Sequence, residues 1–554
     1  AEVQDFGGGK RRVEGFAINY AQYLSYHFYI CEKPELTVRL CQGWTFGAAA
    51  FMRRSMVYKI DYKDRNKSIA CYLPEGAAPD KSAVEELHQM TALEETLDRL
   101  RGVTGFFQGD RQGIEKIIVT PDFHKGAGIP IGTVMMTKGF VVPQAMGNDI
   151  NCGMRFYVTD LPEERIREKL PELTKKIRHV FFEGGRQIPM TGRQRQALFC
   201  CGLEGILDTC QDAGGRGLWR YYQPQIQEKW LNRTAFRGSI KVDGTEGLED
   251  FIGSYGELTY DDQIGTIGGG NHFLEIQRVA EIYDGQTANV WKVKKGAVAV
   301  MLHSGSLTIG HHSGLLNRRI CQDIYPAGLP HPQNKIYLIP ESEAVQDPWR
   351  RFWQVSGNAA NFGFANRLFL GFMIQDVFSG VLGECGMELL YDAPHNYIWK
   401  KQIGGEDYYI HRKGACRAGG CEEMEGTEFA YYGEPVMIPG SMGSSSYLLR
   451  GMGNQDALWS ASHGAGRKKS RGDAIKGNDE AFHRFMEKFH IITPIDPART
   501  DLKGRADILK KWEESVRAEA PYAYKDIDQV VAVHGVHQMA APVARLEPIL
   551  TVKA

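Results

Sequence analysis

Beyond residue 116 the sequence alternates short apolar runs with glycine-rich turns, a pattern that few fold classes accommodate. The runs include KIIVTP, GFVVP, AVAVML and KIYLIP, and longer amphipathic helical patterns occupy residues 161–179, 366–382 and 501–518. No internal repeat and no regular strand–helix–strand order accompanies them, which argues against a solenoid and against a doubly wound nucleotide fold. We therefore predict one large α+β unit with mixed sheets and flanking helices.

Glycine is unusually frequent in this chain. The sequence contains 63 glycines and no low-complexity stretch, whereas an average protein has glycine at about 7% of its positions. Such a surplus predicts many backbone positions that need special dihedral angles or a close approach to a ligand.

Composition excludes several classes of protein. With 43% hydrophobic residues, disorder and collagen-like structure are excluded, and 66 basic against 67 acidic residues exclude a polycation. Any phosphate-binding surface must therefore be a local basic patch. Eleven cysteines without regular spacing predict a reducing, cytoplasmic environment. We expect no membrane segment, because the apolar stretch Leu368–Leu382 is short and interrupted by Gln375 and Asp376, and no secretory signal.

The chain is divided by its pattern into an N-terminal extension of unknown role, residues 1–55, and a catalytic domain, residues 56–554. The pattern VYKIDY predicts a strand near the start of that domain, and SAVEELHQMTALEETLDRLRG predicts a helix. In this helix Ser82 and Glu85 have the spacing of a capping box.

Four separated segments carry residues that could bind a metal. Each segment follows an apolar run and lies beside a glycine or a turn residue, where the end of a strand can present side chains to a shared site. The segments are GNDINCGMR with Asp149 and Cys152, GGGNHFLE with Asn271, His272 and Glu275, LHSGS with His303, and APHN with His395 and Asn396. Carboxylate, thiolate and imidazole together suit a divalent transition metal, and a thiolate can bridge two ions. Their spacing matches no local zinc motif, so separate structural histidines remain the alternative.

Three further segments suit phosphate chemistry. IPGSMGSSSY could wrap backbone N–H groups around a phosphate or a base edge, although a polar loop is the alternative. In SHGAGRKKSR, His463 lies beside small residues and cations, as a nucleophile for phosphorus requires, although a basic surface loop has the same composition. HRKGACRA could follow a phosphate backbone or simply form a solvated face.

These segments, taken in order with PDFHKGAGIPIG near the start and ARLEPILTVKA at the end, resemble the RtcB family of RNA-splicing ligases. The resemblance extends from about residue 117 to the C-terminus, and DINCG, GNHF and SHGAGR are its most specific parts. It implies an RNA ligase that uses GTP and manganese(II).

The resemblance also implies roles for individual residues. Two Mn(II) ions would share the thiolate of Cys152, with His272 and His303 completing one site and Asp149 and His395 the other. His463 would be the catalytic nucleophile. The resemblance implies the following GTP-binding set: Asn271, His272, Phe273, Leu274, Glu275, His395, Asn396, Pro439, Gly440, Ser441, Met442, Ser446, His463, Gly464, Ala465, Gly466 and Lys553.

The chemistry implied by the family has three steps. His463 attacks the α-phosphorus of GTP and expels pyrophosphate, which leaves a histidine–GMP intermediate. An RNA 3′-phosphate, formed from a 2′,3′-cyclic phosphate, then accepts GMP, and a 5′-hydroxyl of a second RNA end displaces GMP. We expect RNA contacts from five cationic residues, and an archease-like activator is a possible partner. The five are Arg412, Lys413, Arg417, Arg467 and Arg471.

The sequence departs from the family pattern at a few positions. Leu307 occupies the place of an arginine expected near the RNA phosphate, Cys416 replaces a threonine, and PQAMGN precedes Asp149 in place of the usual glycine-rich stretch. Two alternative functions follow: an RNA-end-binding protein without ligation, and a metal-dependent phosphoesterase that opens cyclic phosphates without GTP.

Overall fold

Two mixed β-sheets carry the fold in the computed structural model, which describes residues 57–61, 67–108, 111–383, 385–476 and 479–554. The predicted extension of residues 1–55 lies outside the described residues, so the proposed domain boundary stays a prediction. The strands, in chain order, are β1 Tyr58–Asp61, β2 Ser68–Cys71, β3 Gly113–Ala127, β4 Ile129–Lys138, β5 Phe140–Val141, β6 Gly153–Pro162, β7 Pro189–Thr191, β8 Leu258–Tyr260, β9 Phe273–Ile282, β10 Ala297–Ser304, β11 Ile339–Pro340, β12 Met387–Pro394, β13 Asn396–Ile403, β14 Glu406–Lys413, β15 Ala415–Arg417, β16 Pro435–Ile438, β17 Ser446–Gly451, β18 Ser460–Ser462, β19 Ile491–Ile492 and β20 Ala540–Val552.

Helices cover the outer faces of the sheets. In chain order they are α1 Lys81–Thr91, α2 Leu93–Arg101, α3 Glu163–Glu168, α4 Leu170–Phe182, α5 Gly192–Thr209, α6 Pro224–Leu231, α7 Glu249–Ile252, α8 Gly285–Val290, α9 Leu307–Asp323, α10 Gln346–Leu382, α11 Arg471–Ile475, α12 Asp479–Lys488, α13 Ala506–Ala518 and α14 Ile527–Val536. Short 3₁₀ turns occur at Pro143–Met146, Cys210–Ala213, Gly217–Tyr221, Ala235–Gly238, Glu343–Val345, Thr500–Leu502 and Pro521–Ala523.

The first sheet has the strand order β1-β2-β3-β4-β14-β13, and the second has the order β12-β6-β10-β9-β20-β17-β16 with β19 beside β20. Most neighbours are antiparallel, but β2 and β3 are parallel, as are β19 and β20. Two-stranded pairs β5–β11, β7–β8 and β15–β18 complete the described sheets. Mixed sheets with segregated helices confirm the predicted α+β fold.

The register of the second sheet brings distant segments of the chain to one edge. The end of β10 pairs with the start of β6, since Ser304 lies opposite Gly153. The end of β12 also meets the start of β6, and the end of β20 meets the start of β9. Because neighbouring strands run antiparallel, the starts of β6 and β9 lie at the same edge of the sheet as the ends of β10, β12 and β20. The loops that follow or precede these strands therefore form one surface.

Helix α10 fills the space behind that edge. It contains 37 residues, and its residues from Val355 to Ile374 are buried on every side. It packs among α4, α5, α9 and β10. The sequence stretch Leu368–Leu382 thus forms a buried helix, as predicted. None of the helices in the described ranges combines the length and the apolar character that spanning a bilayer requires.

Several sequence expectations need correction in detail. Asp80, not Ser82, caps α1, because its Oδ1 accepts from the backbone N–H of Ser82 at 2.8 Å and the N–H of Ala83 at 3.4 Å. The helical stretch 161–179 is two helices, broken before Pro171, whose ring removes a backbone donor and crowds the preceding turn. VYKIDY contains strand β1, whereas KIYLIP contributes only the two residues of β11.

Candidate active site

A cavity of about 500 Å³ opens where the edge of the second sheet meets the first sheet and the loop after β18. The residues around it come from each of the segments that the sequence singled out. Those expected from the sequence are Asp149, Cys152, Asn271, His272, Phe273, Glu275, His303, His395, Asn396, Lys413, Pro439, Gly440, Ser441, Met442, His463, Gly464, Ala465, Gly466, Arg467, Arg471 and Lys553.

Four of these side chains converge on Cys152. Its Sγ lies 3.2 Å from Nε2 of His272 and 3.2 Å from Nε2 of His303. Nε2 of His303 is in turn 3.3 Å from Nε2 of His395, and Nε2 of His272 is 3.0 Å from Oδ2 of Asp149. The donors form two groups in which all ligand atoms lie within 4.8 Å of one another, and Cys152 belongs to both.

This grouping corrects the pairing of histidines expected from the resemblance. The geometry places His303 and His395 together with Cys152, and Asp149 and His272 together with Cys152. The reason is the strand order, since β10 and β12 flank β6 on its two sides and direct His303 and His395 toward each other. His272 precedes β9, one strand farther away, and faces the loop that carries Asp149.

The local backbone fixes the orientation of these donors. Nδ1 of His303 lies 3.1 Å from the carbonyl of Asn271, so this nitrogen carries the proton and Nε2 presents its lone pair. Oδ1 of Asp149 accepts from the N–H of Leu307 at 2.8 Å. Gly305 must be glycine because a Cβ there would overlap the Asp149 carboxylate. Asn151 holds a left-handed φ of 57° immediately before Cys152, a conformation that asparagine tolerates better than most residues.

The donor set fits divalent cations. Burial lowers the pKa of His303 and of His395, which keeps both imidazoles neutral and able to coordinate. Burial also raises the pKa of the Cys152 thiol, so a nearby cation is needed to hold it as a thiolate. Three imidazole nitrogens, a thiol and a carboxylate within coordinating reach therefore form a candidate site for two metal ions that share one sulfur.

A buried ionic network supports the donors from behind. Arg367 of α10 is fully buried and donates to the carbonyl of Asn151 at 2.6 Å and to the carbonyl of Ser304 at 3.0 Å. The same guanidinium contacts Asp392 of β12 at 2.7 Å, and Arg155 contacts that carboxylate at 3.0 Å. Arg367 thus links the residue before Cys152 to the residue after His303. Loss of one partner from such a buried network typically costs about 3–5 kcal/mol.

His463 lies beside the metal-donor cluster and is held by an acidic residue. Its Nδ1 is 2.6 Å from Oδ2 of Asp122, and its ring centroid is 4.9 Å from that of His395. Asp122 is fully buried in β3, where Thr120 donates to its Oδ1 at 2.5 Å. Burial would raise the pKa of Asp122, but the charge and hydrogen bond of His463 hold it well below its usual range. A carboxylate on Nδ1 leaves Nε2 with a free lone pair, as a nucleophile needs.

The loop after His463 depends on a close approach to Asp122. Gly466 has a φ of 72°, and a Cβ at this position would overlap the backbone of Asp122. The N–H of Lys525 donates to the carbonyl of Gly466 at 2.9 Å, and its ammonium donates to the carbonyls of Pro121, at 3.1 Å, and Phe123, at 2.5 Å. Glycine is thus required where the SHGAGR loop and β3 come together.

A second region of the cavity combines a buried acid with a buried lysine. Glu275 accepts hydrogen bonds from Thr551 and, at 2.6 Å, from Gln277, and burial raises the pKa of its carboxyl to about 7. Lys553 donates to the carbonyl of Gly270 at 2.7 Å, and burial lowers the pKa of its ammonium to about 8. A donor and an acceptor on one wall suit a ligand with both hydrogen-bond types along its edge.

The rim of the cavity is basic. Arg467 and Arg471 both contact Glu519, at 3.1 and 2.9 Å, and the Arg471 side chain remains 56% exposed. Burial would raise the pKa of Glu519, but Lys553, Tyr524 and the two arginines hold it below its usual value. Two guanidiniums around one carboxylate leave net positive charge, which suits a phosphate ligand.

Four expected residues lie away from the cavity lining. Leu274 points into the core because successive strand residues alternate faces. Ser446 is buried behind Glu275, where its Oγ accepts from Gln277 at 2.9 Å. Arg412 is 2% exposed and donates to the carbonyl of Leu458 at 2.9 Å.

The fourth such residue, Arg417, lies 3.4 Å from the buried carboxylate of Glu434 and packs over the ring of Trp399. The contacts of Arg412 and Arg417 are internal, so we leave both out of the proposed RNA-binding set. Leu307 also lies outside the lining; its N–H supports Asp149 from a left-handed φ of 49°.

Sequence reasoning missed four cavity or supporting residues. Asp122 and His124 lie in PDFHKGAG, at the end of the apolar run KIIVTP. A polar segment that follows an apolar run and lies beside a glycine is the signal that pointed to the metal-binding segments, and it is present here as well. The two residues are joined locally, since Nδ1 of His124 is 2.7 Å from the backbone carbonyl of Asp122. Glu519 and Tyr524 follow α13, where no motif marks them, and only tertiary packing brings them to Arg467.

Comparisons with known proteins agree on one family. The family model for the tRNA-splicing ligase RtcB matches residues 110–554. A tRNA-splicing ligase RtcB of Pyrobaculum aerophilum is 32% identical over 466 residues, covering 79% of this chain and 87% of the relative. The tRNA-splicing ligase RtcB of Aeropyrum pernix is 32% identical over 79% of this chain and 88% of its own length. An RNA-splicing ligase RtcB of Mycobacterium tuberculosis is 32% identical over 78% of this chain and 95% of its own length. The chain therefore belongs to the RtcB family and is an RNA ligase.

Proposed function

We propose that this protein is a GTP- and Mn(II)-dependent ligase that joins RNA 2′,3′-cyclic phosphate or 3′-phosphate ends to 5′-hydroxyl ends through a histidine–GMP intermediate. The observation that carries the proposal is the position of His463. Its Nδ1 is held by Asp122 at 2.6 Å, and its ring lies next to His395 of the metal-donor cluster. A neutral imidazole with one nitrogen anchored presents the other to phosphorus.

In the first step, Nε2 of His463 forms a bond to the α-phosphorus of GTP, and the bond to the β-phosphate oxygen breaks to release pyrophosphate. The imidazole becomes cationic as the bond forms, and the Asp122 carboxylate on Nδ1 stabilises that charge. Divalent cations bound by Asp149, Cys152, His272, His303 and His395 would neutralise the negative charge that develops on the phosphoryl oxygens.

The nucleotide would lie along the cavity with its base toward Glu275 and Lys553. A guanine edge carries N–H donors and a carbonyl acceptor, which match an acceptor carboxylate and a donor ammonium. Pro439–Met442 and Gly464–Gly466 line the remaining cavity, and the small residues of these two segments leave backbone N–H groups within reach of phosphate.

The second and third steps use the basic rim. An oxygen of the RNA 3′-phosphate attacks the phosphorus of the histidine-bound GMP, and the bond to Nε2 breaks, which restores neutral His463. A 5′-hydroxyl oxygen then attacks the activated 3′-phosphate, loses its proton and displaces GMP. Arg467, Arg471 and Lys413 lie on the cavity lining and are the proposed contacts for RNA phosphates.

The proposal is tested by covalent labelling. Protein incubated with Mn(II) and GTP labelled at the α-phosphate should acquire a label that is acid-labile and base-stable, as a phosphoramidate is. His463→Ala should acquire none. An unlabelled wild type, or a label that persists in His463→Ala, would overturn the histidine–GMP mechanism.

Two statements about the cellular setting stay predictions. The nine cysteines in the described residues are all free thiols, and a cytoplasmic location is proposed from the cysteine pattern of the sequence. Dependence on an archease-like activator is proposed from the family resemblance alone.

A further inference from the structure

A second open groove lies away from the cavity described above. It has a volume of about 500 Å³ and lies between the 241–243 loop and the first turns of α10. Its wall includes Trp349, Trp353 and Gln354 of α10, with Lys241, Asp243 and Arg350 at its edges. None of the candidate metal, nucleotide or RNA residues contributes to it.

Two tryptophans form the aromatic part of the wall. The rings of Trp349 and Trp353 are perpendicular, with centroids 5.8 Å apart, and both pack on Tyr409 of β14, at 5.6 and 6.1 Å. Both tryptophans are partly exposed to the groove. Tyr409 fixes the two indoles from below, so they offer a rigid apolar surface with little entropy to lose on binding.

Gln354 adds an unused amide to this surface. The residue is only 8% exposed, yet its side chain makes no hydrogen bond with any residue in the described ranges. One turn farther along α10, Nδ2 of Asn358 donates to the carbonyls of Phe199 and Gly244 at 2.9 Å each. Because Gln354 lines the groove, its amide donor and acceptor are available to a ligand bound there.

The charges of the groove indicate what kind of ligand it fits. Lys241 and Arg350 are balanced by Asp243 and Asp347 on the lining, and Arg350 contacts Asp347 at 2.7 Å. Lys241 is also 3.3 Å from Glu204. A surface that binds phosphate backbone needs excess positive charge, which this groove lacks. A flat, uncharged ring with donors and acceptors on its edge fits it better.

We propose that this groove binds a nucleobase, which stacks on one of the two indoles, contacts the other with its edge, and forms hydrogen bonds with Gln354. The base could belong to a free nucleoside or to an unpaired position of an RNA, and both present the same ring. Because the family acts on RNA, such a groove would hold a nucleotide of the substrate at a distance from the ends being joined. The proposal does not depend on the histidine–GMP chemistry.

The experiment measures binding in the absence of divalent metal, so that ligation plays no part. Equilibrium dialysis with adenosine and cytidine tests the free-nucleoside source. Fluorescence anisotropy with a labelled single-stranded RNA that has hydroxyls at both ends tests the RNA source. The variants are Gln354→Met, which keeps the volume and removes the amide, Trp349→Ala, and Trp349→Phe, which keeps a smaller aromatic ring.

We expect Gln354→Met to weaken binding about fivefold and Trp349→Ala about tenfold or more, with Trp349→Phe in between. The fold-change should stay the same at low and high salt, because the groove carries no net charge. Tyr431→Ala, at an aromatic residue 88% exposed outside the groove, should bind as the wild type does. Thermal unfolding of each variant shows that it is folded.

The outcomes distinguish a free nucleoside from an RNA base as the ligand, and they also test the proposal as a whole. A loss in the dialysis arm identifies free nucleosides as ligands, and a loss confined to the anisotropy arm identifies an RNA base. Wild-type affinity of folded Gln354→Met and Trp349→Ala in both arms would overturn the proposal. The same variants should still be labelled covalently by GTP. A result against nucleobase binding in the groove can therefore be distinguished from a result against the proposed ligase mechanism.

Discussion

Nδ1 of His463 and Oδ2 of Asp122 form a buried hydrogen bond of 2.6 Å, although 341 residues separate them in the chain. The same carboxylate oxygen lies 3.2 Å from the backbone N–H of His463. Asp122 therefore fixes the rotamer of the ring, its tautomer and the backbone that carries it. The reactivity of His463 depends on this acid as much as on the metal donors.

Replacing Asp122 with asparagine should slow covalent attachment of GMP by about a hundredfold to ten-thousandfold, because an amide does not stabilise the imidazolium. The rate of labelling by α-labelled GTP measures this. Thr120→Val removes one hydrogen bond to Asp122 but keeps the charge, so its rate should fall about tenfold or less. Equal rates in wild type and Asp122→Asn would show that the carboxylate does not act on His463.

Removing the shared sulfur should affect both metal ions. We expect Cys152→Ser to lower the content of both metal ions. Asp149→Ala and His395→Ala should each remove one ion, and not the same one, because the two residues belong to different donor groups. Metal content per chain after gel filtration measures this. The double variant Asp149→Ala/His272→Ala should lose no more than Asp149→Ala alone. If Asp149→Ala and His395→Ala instead remove the same ion, the grouping is wrong.

Glu275 should make the stability of the nucleotide-free protein depend on pH. Burial raises the pKa of its carboxyl from 4.5 to about 7. Between these values the folded protein binds more protons than the unfolded chain, so the free energy of unfolding falls as pH rises through that window. At pH values above this window, the free energy of unfolding is lower by roughly 3 kcal/mol.

The variant Glu275→Gln removes this dependence. Its melting temperature relative to the wild type should rise between about pH 5 and about pH 8. A difference between Glu275→Gln and wild type that stays constant with pH would contradict the raised pKa.

Arg471 and Arg412 should respond differently to substitution. Arg471 is 56% exposed on the cavity rim, so Arg471→Ala should weaken RNA binding and reduce the log–log salt slope by about one. Arg412 is buried, so Arg412→Met should alter the melting temperature and leave the slope unchanged. Anisotropy titrations with RNA at several salt concentrations measure both. A reduced slope for Arg412→Met would place that guanidinium on the RNA.

The sequence predicted the fold class and most of the cavity, because residues such as His303 and His395 lie at the ends of apolar runs that form the strands on either side of β6. The donor atoms group differently from the pairing that the resemblance implies, and strand order, which sets this grouping, is a tertiary property that spacing does not encode. Arg412 illustrates another limit. A cluster of cations in sequence does not reveal which side chains alternate into the core, and Arg412 lies on the inner face of β14.

The N-cap of α1 shows a limit at the scale of one turn. Both Asp80 and Ser82 are good capping residues, and only the backbone at Asp80, with ψ of 121°, decides between them. Glu519 lay beyond prediction for a different reason, because its partners Arg467 and Arg471 come from a segment about 50 residues earlier in the chain and give no local signal.

The most direct test of the proposed ligase is product analysis with one RNA that ends in a 2′,3′-cyclic phosphate and another that begins with a 5′-hydroxyl, in Mn(II), with and without GTP. We expect a joined 3′,5′ product with GTP, none without it, and none from His463→Ala under either condition. Opening of the cyclic phosphate without GTP and without any joined product would identify a phosphoesterase and contradict the proposal. RNA binding with no joined product in GTP would contradict it equally.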